Sequence, residues 1–281
     1  GYDDFTSEIL LPYKYSQLGP CLATGDINGD QLEDFFVGGA SGTPGAVFMQ
    51  TPEGNFLRAT SLTLAEDAEH EDVAAAFFDI DNDGDLDLFV GSGSNEWEAG
   101  SSLYKDRMYI NNGRGDFHSD STLLPDYTIS TGVIAPYDWD NDGDMDVFVG
   151  GRIVPGKYPY PSASFLLENK GGALVNVTDT HLSSLNEAGL VTDAAWADLN
   201  QDGKPELIIS AEWQAVRIFT YQKGAFKPFA SKTGLEQYTG WWMSLEAADV
   251  NGDGKEDVQK PSEETNESSG NLLEDILSNK V

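Results

Sequence analysis

The chain has a single cysteine, Cys21, among 281 residues. No intrachain disulfide can form, so packing or bound metal must hold the fold together. Cations are scarce as well: 16 Lys and Arg stand against 48 Asp and Glu, a formal charge of −32. Nucleic acid and anionic membranes are excluded as partners on that ground, since both would be repelled. No apolar run approaches the roughly 18 residues of a membrane span. Gly1 opens without the charged and then apolar segments of an export signal. The chain is therefore expected to be soluble, with any export signal removed or outside this sequence. Histidine is limited to His70, His118 and His181, and none sits in a motif with a nucleophile or at metal-ligand spacing. GxSxG, HExxH and phosphate-binding loops are missing too, which argues against an enzyme.

Glycine is abundant, at 30 residues, and Val, Phe, Tyr and Trp recur in short runs. Together these indicate an all-β protein with many turns. The acidic residues are patterned. DINGDQLED starts at Asp26, DIDNDGDLD at Asp79, DWDNDGDMD at Asp138, DLNQDGKPE at Asp198 and DVNGDGKED at Asp249, at spacings of 53, 59, 60 and 51 residues. These five loops hold 21 of the 48 acidic residues, so five bound dications would bring the charge to about −22.

Each of the first four loops runs straight into a short apolar segment (DFFVGGA, LFVGSG, VFVGGR, LIISAE) that suits a buried strand. Further on come hairpin patterns, AVFMQTPEGNF, RMYINNGRGDF, FLLENKGGAL and VRIFTYQKGAF. Upstream, Ala23, Ala76, Ala135 and Ala195 occupy the third position before the loop, where a small residue fits an inner strand crowded by its neighbours. One unit thus reads strand, acidic loop, strand, connector, hairpin. Four antiparallel strands in 50 to 60 residues make one blade of a β-propeller. A stacked β-solenoid is the competitor, but its repeats are usually much shorter.

About five blades fill residues 1–257. DFTSEILLP at Asp4–Pro12 resembles DFHSDSTLLP at Asp116–Pro125, so the chain is expected to open on the last strand of a preceding blade. Either the two ends complete one shared blade, or the chain is a fragment of a larger ring. From Val258 the repeat stops, and residues 258–281 read as a linker followed by a short helix carrying Leu272, Leu273, Ile276 and Leu277 on one face, or as a disordered tail.

Calcium takes six to eight hard oxygen ligands at about 2.3–2.6 Å, and a short loop can wrap it when alternate side chains point inward. Positions 1, 3, 5 and 9 supply such side chains in every loop: Asp26, Asn28, Asp30 and Asp34; Asp79, Asp81, Asp83 and Asp87; Asp138, Asp140, Asp142 and Asp146; Asp198, Asn200, Asp202 and Glu206; Asp249, Asn251, Asp253 and Asp257. Position 6 is Gly84, Gly143, Gly203 and Gly254 in four loops, where the backbone should turn with positive φ. The first loop has Gln31 there, at a cost of about 1–2 kcal/mol, so that site is expected to be weaker or differently wound. An EF-hand would need Glu at position 12, where these loops have Val37, Val90, Val149, Ile209 and Lys260.

Sites of about 0.1 mM at millimolar calcium would each stabilise the fold by about 1.4 kcal/mol, and five by about 7 kcal/mol. That is comparable with a domain's whole net stability. In submicromolar cytosolic calcium the contribution vanishes, so the expected location is extracellular, cell-surface or periplasmic.

Loop plus following strand, as in DIDNDGDLDLFVGSG and DWDNDGDMDVFVGG, resembles the FG-GAP/VCBS repeat family, which includes the N-terminal propellers of integrin α subunits. The resemblance covers residues 4–257. GGRIVPGKYP from Gly150 and GLVTDAAWADLNQDG from Gly189 are similar to the group containing cartilage acidic protein 1 and its bacterial relatives. The resemblance implies structural calcium in the acidic loops, a secreted or surface location and a role in adhesion or interaction. Members often carry about seven blades and a further C-terminal domain, more than these residues provide.

A protein or carbohydrate ligand is expected on a loop face. The longest connectors follow Val90 and Gly150 and carry Trp97 and Tyr104, then Tyr158 and Tyr160, rings that either contact a ligand or pack the loops onto the blades. Trp241–Trp242 falls in the expected inner strand of the fifth unit and reads as core. Arg114, Gly115 and Asp116 spell RGD but also fill the repeat's own hairpin turn. The enzymatic alternative is a polysaccharide lyase, since some lyases resemble propellers with similar calcium loops; it would need a base beside a substrate-bound ion. Asn176 and Asn266 fit the N-glycosylation sequon, which matters only in a eukaryotic host.

Overall fold

The computed structural model describes residues 2–59, 62–229, 234–235, 238–250 and 257–259, with side chains at 62 and 257–259 left aside. The described residues are predominantly β. Four strand quartets follow one another along the chain, each an antiparallel sheet in sequence order. The first blade comprises β1 (Leu22–Gly25), β2 (Asp34–Val37), β3 (Ala46–Gln50) and β4 (Phe56–Arg58). The second comprises β5 (Asp72–Phe78), β6 (Asp87–Ser92), β7 (Arg107–Ile110) and β8 (His118–Ser119). The third comprises β9 (Ser130–Tyr137), β10 (Asp146–Ile153), β11 (Phe165–Asn169) and β12 (Leu174–Asn176). The fourth comprises β13 (Leu190–Ala197), β14 (Glu206–Gln214), β15 (Arg217–Gln222) and β16 (Ala225–Pro228). This is the strand content of β-propeller blades, as the repeat predicts.

Each acidic loop joins the first and second strands of its blade, and position 9 is the first residue of the second strand: Asp34, Asp87, Asp146 and Glu206. The apolar runs after the loops form second strands, half-buried on one face in β2 and covered on both faces in β6 and β10. Every residue of β6 and of β10 is buried. Alternate side chains of β6 point to opposite sides, so Leu88 and Val90 join Ile27, Phe36 and Val47 in a core between the first two sheets. Phe89 joins Val147, Val149 and Leu167 in the core between the second and third. A strand sandwiched in this way loses the apolar–polar alternation of a half-exposed strand and reads as a continuous apolar run.

Two compact units divide the chain, Gly1–Val191 and Thr192–Val281. Within the first, β1 lies alongside β5 and β5 alongside β9, so the inner strands of successive blades are neighbours. Ala23 and Ala135 are buried there, and Ala76 is partly buried, consistent with the crowding expected of small residues. Within the second, β17 (Gly240–Trp241) adds to the end of β14, and β18 (Glu246–Ala248) pairs with β19 (Asp257–Gln259) on either side of the fifth loop.

Two expectations are corrected. Asp4–Ser7 is one helical turn, not an outer strand. Its polar groups are used locally instead: Thr6 Oγ1 donates to Asp3 (3.0 Å), and the buried Asp4 carboxylate accepts from the backbone N–H (3.0 Å) and hydroxyl (2.5 Å) of Ser16. Trp241 belongs to β17 on the fourth sheet, while the inner strand of the fifth unit is β18. No helix among the described residues is long and apolar enough to cross a membrane. Residues 260–281, with the expected linker and helix, lie outside the described residues, as do 251–256.

Candidate metal centres

The four described loops share one hydrogen-bond scheme. The position 1 carboxylate accepts the N–H of position 5 with one oxygen and that of position 6 with the other. Those pairs of distances are 3.1 and 2.8 Å at Asp26, 3.2 and 2.9 Å at Asp79, 3.2 and 3.0 Å at Asp138, and 3.1 and 2.8 Å at Asp198. Position 3 also accepts from the N–H of position 5, at Asn28, Asp81, Asp140 and Asn200. Position 5 accepts from the N–H of position 7, at Asp30, Asp83, Asp142 and Asp202. These side chains fold the loop around their own oxygens.

The backbone makes the turn with two left-handed residues. Position 6 has φ of +69° at Gln31, +93° at Gly84, +98° at Gly143 and +81° at Gly203. Gln31 therefore winds the first loop like the others, correcting the expectation of a different winding. Position 4 is left-handed too, with φ of +73° at Gly29 and +61° at each of Asn82, Asn141 and Gln201. Asn reaches this conformation more easily than most residues.

Position 9 is buried in all four loops, as Asp34, Asp87, Asp146 and Glu206. One of its oxygens accepts the N–H of position 2: Ile27 (3.2 Å), Ile80 (3.0 Å), Trp139 (3.3 Å) and Leu199 (3.1 Å). In the first three blades the other oxygen accepts an N–H from the third strand or the residue just after it, namely Gln50 (2.7 Å), Asn111 (2.8 Å) and Asn169 (2.8 Å). Position 9 thus staples the loop to the hairpin. The sequence had suggested only a ligand here.

In the second and third loops, oxygens of Asp79, Asp81 and Asp87, and of Asp138, Asp140 and Asp146, lie within 4.8 Å of one another. Ligands at about 2.3–2.6 Å from one calcium stand at most about twice that far apart, so the spread matches a shared ion. All the donors are hard oxygens, with no nitrogen or sulfur, which suits calcium over softer metals. Asp83 and Asp142, at position 5, are outside these converging sets. In the first and fourth loops position 3 is Asn28 and Asn200, and Asn200 Nδ2 donates to Glu206 (2.9 Å). The side chains of Asn251, Asp253 and Asp257 in the fifth loop lie outside the described residues.

Crowding appears in the proton affinities. Burial, then repulsion from Asp140 and Asp142, pushes Asp146 up to about 8, against two opposing backbone hydrogen bonds. Burial raises Asp87 to about 6 and Glu206 to about 7, with repulsion from other carboxylates of the same loop adding to it. Asp34, Asp81 and Asp140 are raised by the same causes. A bound dication would oppose these upward shifts.

The rings singled out in the connectors have different fates. Tyr104 is buried and its hydroxyl is bonded to both the N–H and the carbonyl of Trp97 (2.9 and 3.0 Å), so it packs the connector. Trp97 and Tyr160 are exposed, and Tyr158 lies against Tyr15 with centroids 5.8 Å apart. Trp242 is buried, while the Trp241 ring lies tilted at 35° against the exposed Trp213, with centroids 4.8 Å apart. The RGD tripeptide occupies the turn between β7 and β8, with Gly115 (φ +78°) held against Met49 and Ile27.

A family model described as an FG-GAP-like repeat matches residues 26–90, 79–149 and 198–258. No curated protein matches the chain. Among solved structures, one described as that of the Dos1 propeller aligns with a TM-score of 0.43 at 10% identity, covering 74% of this chain and 46% of that one.

Proposed function

Because the chain belongs to the FG-GAP-like repeat family, whose propeller fold supports a protein-interaction module in general, we propose that it is an extracellular, calcium-stabilised β-propeller. In this reading calcium is structural, about five ions are held by the twenty position 1, 3, 5 and 9 residues, and the module binds a protein or carbohydrate without acting as an enzyme. The observation that carries it is the convergence of three carboxylates in two successive loops, within the span of one calcium shell.

Apposed carboxylates in a metal-free loop repel one another, and a dication removes that cost while fixing the turn. The ion therefore acts on stability, and millimolar calcium is where weak sites of this type fill. Adhesion or interaction then falls to connectors exposing Trp97 and Tyr160, which offer ring surface to a sugar or a protein side chain. Native mass spectrometry with and without EGTA should count about five calcium ions, and the melting temperature should fall on chelation. Equal melting in both, with no metal retained, refutes the calcium role. A glycan array and a pectin-type lyase assay test the rest: binding without cleavage supports the module, and unsaturated sugar products replace it with a lyase.

A further inference from the structure

A continuous chain of hydrogen bonds joins the first three acidic loops. The Asn111 side chain donates from Nδ2 to the carbonyl of Ile27 (2.7 Å), position 2 of the first loop. The Asn111 backbone N–H donates to Asp87 Oδ1 (2.8 Å), position 9 of the second loop. Asp87 Oδ2 accepts the N–H of Ile80 (3.0 Å), and the Ile80 carbonyl accepts Asn169 Nδ2 (2.8 Å). The Asn169 N–H donates to Asp146 Oδ1 (2.8 Å), whose Oδ2 accepts the N–H of Trp139 in the third loop (3.3 Å). Asn111 and Asn169 are buried, and their Oδ1 atoms accept from the turn amides of Gly115 (3.0 Å) and Gly172 (2.8 Å). Turning either amide over would set oxygen against carbonyl and nitrogen against N–H, so the donor direction is fixed by chemistry. A second strap crosses the surface, where Asn82 Nδ2 donates to Asp144 Oδ1 (2.5 Å) between the second and third loops.

We infer that the first three loops take up calcium as one coupled series, with Asn111 and Asn169 as the positioning residues that carry the coupling from blade to blade. The inference rests on the calcium reading proposed above. An ion held by position 9 fixes the carboxylate that accepts the N–H of the position 2 residue of its own loop and so orients that residue. The carbonyl of that same residue, in the following peptide group, anchors the next hairpin's asparagine, and the asparagine N–H in turn holds the next position 9 carboxylate. Filling one loop therefore prepares its neighbour, and by linkage the effect is reciprocal.

Trp139 makes the test site-specific, since it is the one aromatic residue within the five loops and lies at position 2 of the third. Terbium, a calcium substitute, should luminesce through it when the third loop fills. Disabling the second loop at two exposed positions with Asp81→Asn and Asp83→Asn should raise the half-saturating terbium concentration at Trp139 by about 5-fold or more. Adding Asn169→Ser, too short to reach Ile80, should erase that dependence. A third-loop midpoint indifferent to the second loop overturns the coupling and leaves the ion sites standing. No Trp139-sensitised signal that calcium competes away overturns the ion reading itself. Should the Asn169→Ser protein fail to fold, the comparison with Asn169 intact still decides.

Discussion

At the scale of single residues, the sites where chemistry and conformation disagree are the most informative. Gln31 adopts φ +69° where three other loops have glycine. A non-glycine residue there carries about 1–2 kcal/mol of strain. Gln31→Gly should therefore raise the urea unfolding free energy by about 1 kcal/mol, and Gly84→Ala should lower it by a similar amount. Glu71 is a conflict of another kind. It is buried beside Glu96, Asp4 and Asp72, and burial followed by their repulsion raises its carboxyl to about 7, with only a hydrogen bond from Ser94 opposing. A folded-state value above the unfolded one means that the stabilising contribution is complete below about 4.5 and is lost as pH rises through about 7. In saturating calcium, Glu71→Gln should match the parent near pH 4 and exceed it at pH 8, by roughly 2–4 °C in Tm for each kcal/mol relieved. A difference constant across that range would mean that the effect is packing and not charge.

At the scale of elements, the loops combine two roles that substitutions can separate. Asp87 staples β6 to Ile80 and Asn111, whereas Asp83 is exposed and accepts only the Asp85 N–H within its own loop (2.9 Å). Asp87→Ala strands two buried N–H groups at about 1–3 kcal/mol each, and should destabilise in chelator as well as in calcium, where it also removes a ligand of the second loop. Asp83→Asn should cost nothing in chelator and reduce only the increment that calcium adds. If both variants act solely in calcium, the staple is unimportant. The sequence made the loops and buried strands legible because alternate acidic positions and unbroken apolar runs are local signals. It made the asparagines legible only as turn residues. Asn111 in INNG and Asn169 in ENKG recur at the same place in the hairpin, but their partners Ile27 and Ile80 are 84 and 89 residues away in sequence. The left-handed position 4 was hidden because Gly, Asn and Gln all occupy it. Asp4–Ser7 misled for the reverse reason: it carries the letters of an outer strand, but its polar groups close a helical turn, with the Asp4 carboxylate accepting from Ser16.

At the scale of the whole molecule, charge is the organising quantity. Of 48 acidic residues, 21 sit in five short loops, against 16 Lys and Arg in all. Exposed carboxylates within one loop interact well inside the Debye length of about 10 Å at 0.1 M salt. Added monovalent salt should therefore relieve part of the repulsion in the metal-free protein, although it cannot coordinate the buried position 9 oxygens. Bound calcium neutralises the same carboxylates at contact distance, which leaves less repulsion for salt to screen. Raising NaCl from about 20 mM to 0.5 M should thus increase Tm clearly in EGTA and much less in millimolar calcium. A salt response of equal size in both would place the destabilising charge outside the loops, because ions held within them would then have neutralised nothing that matters to folding.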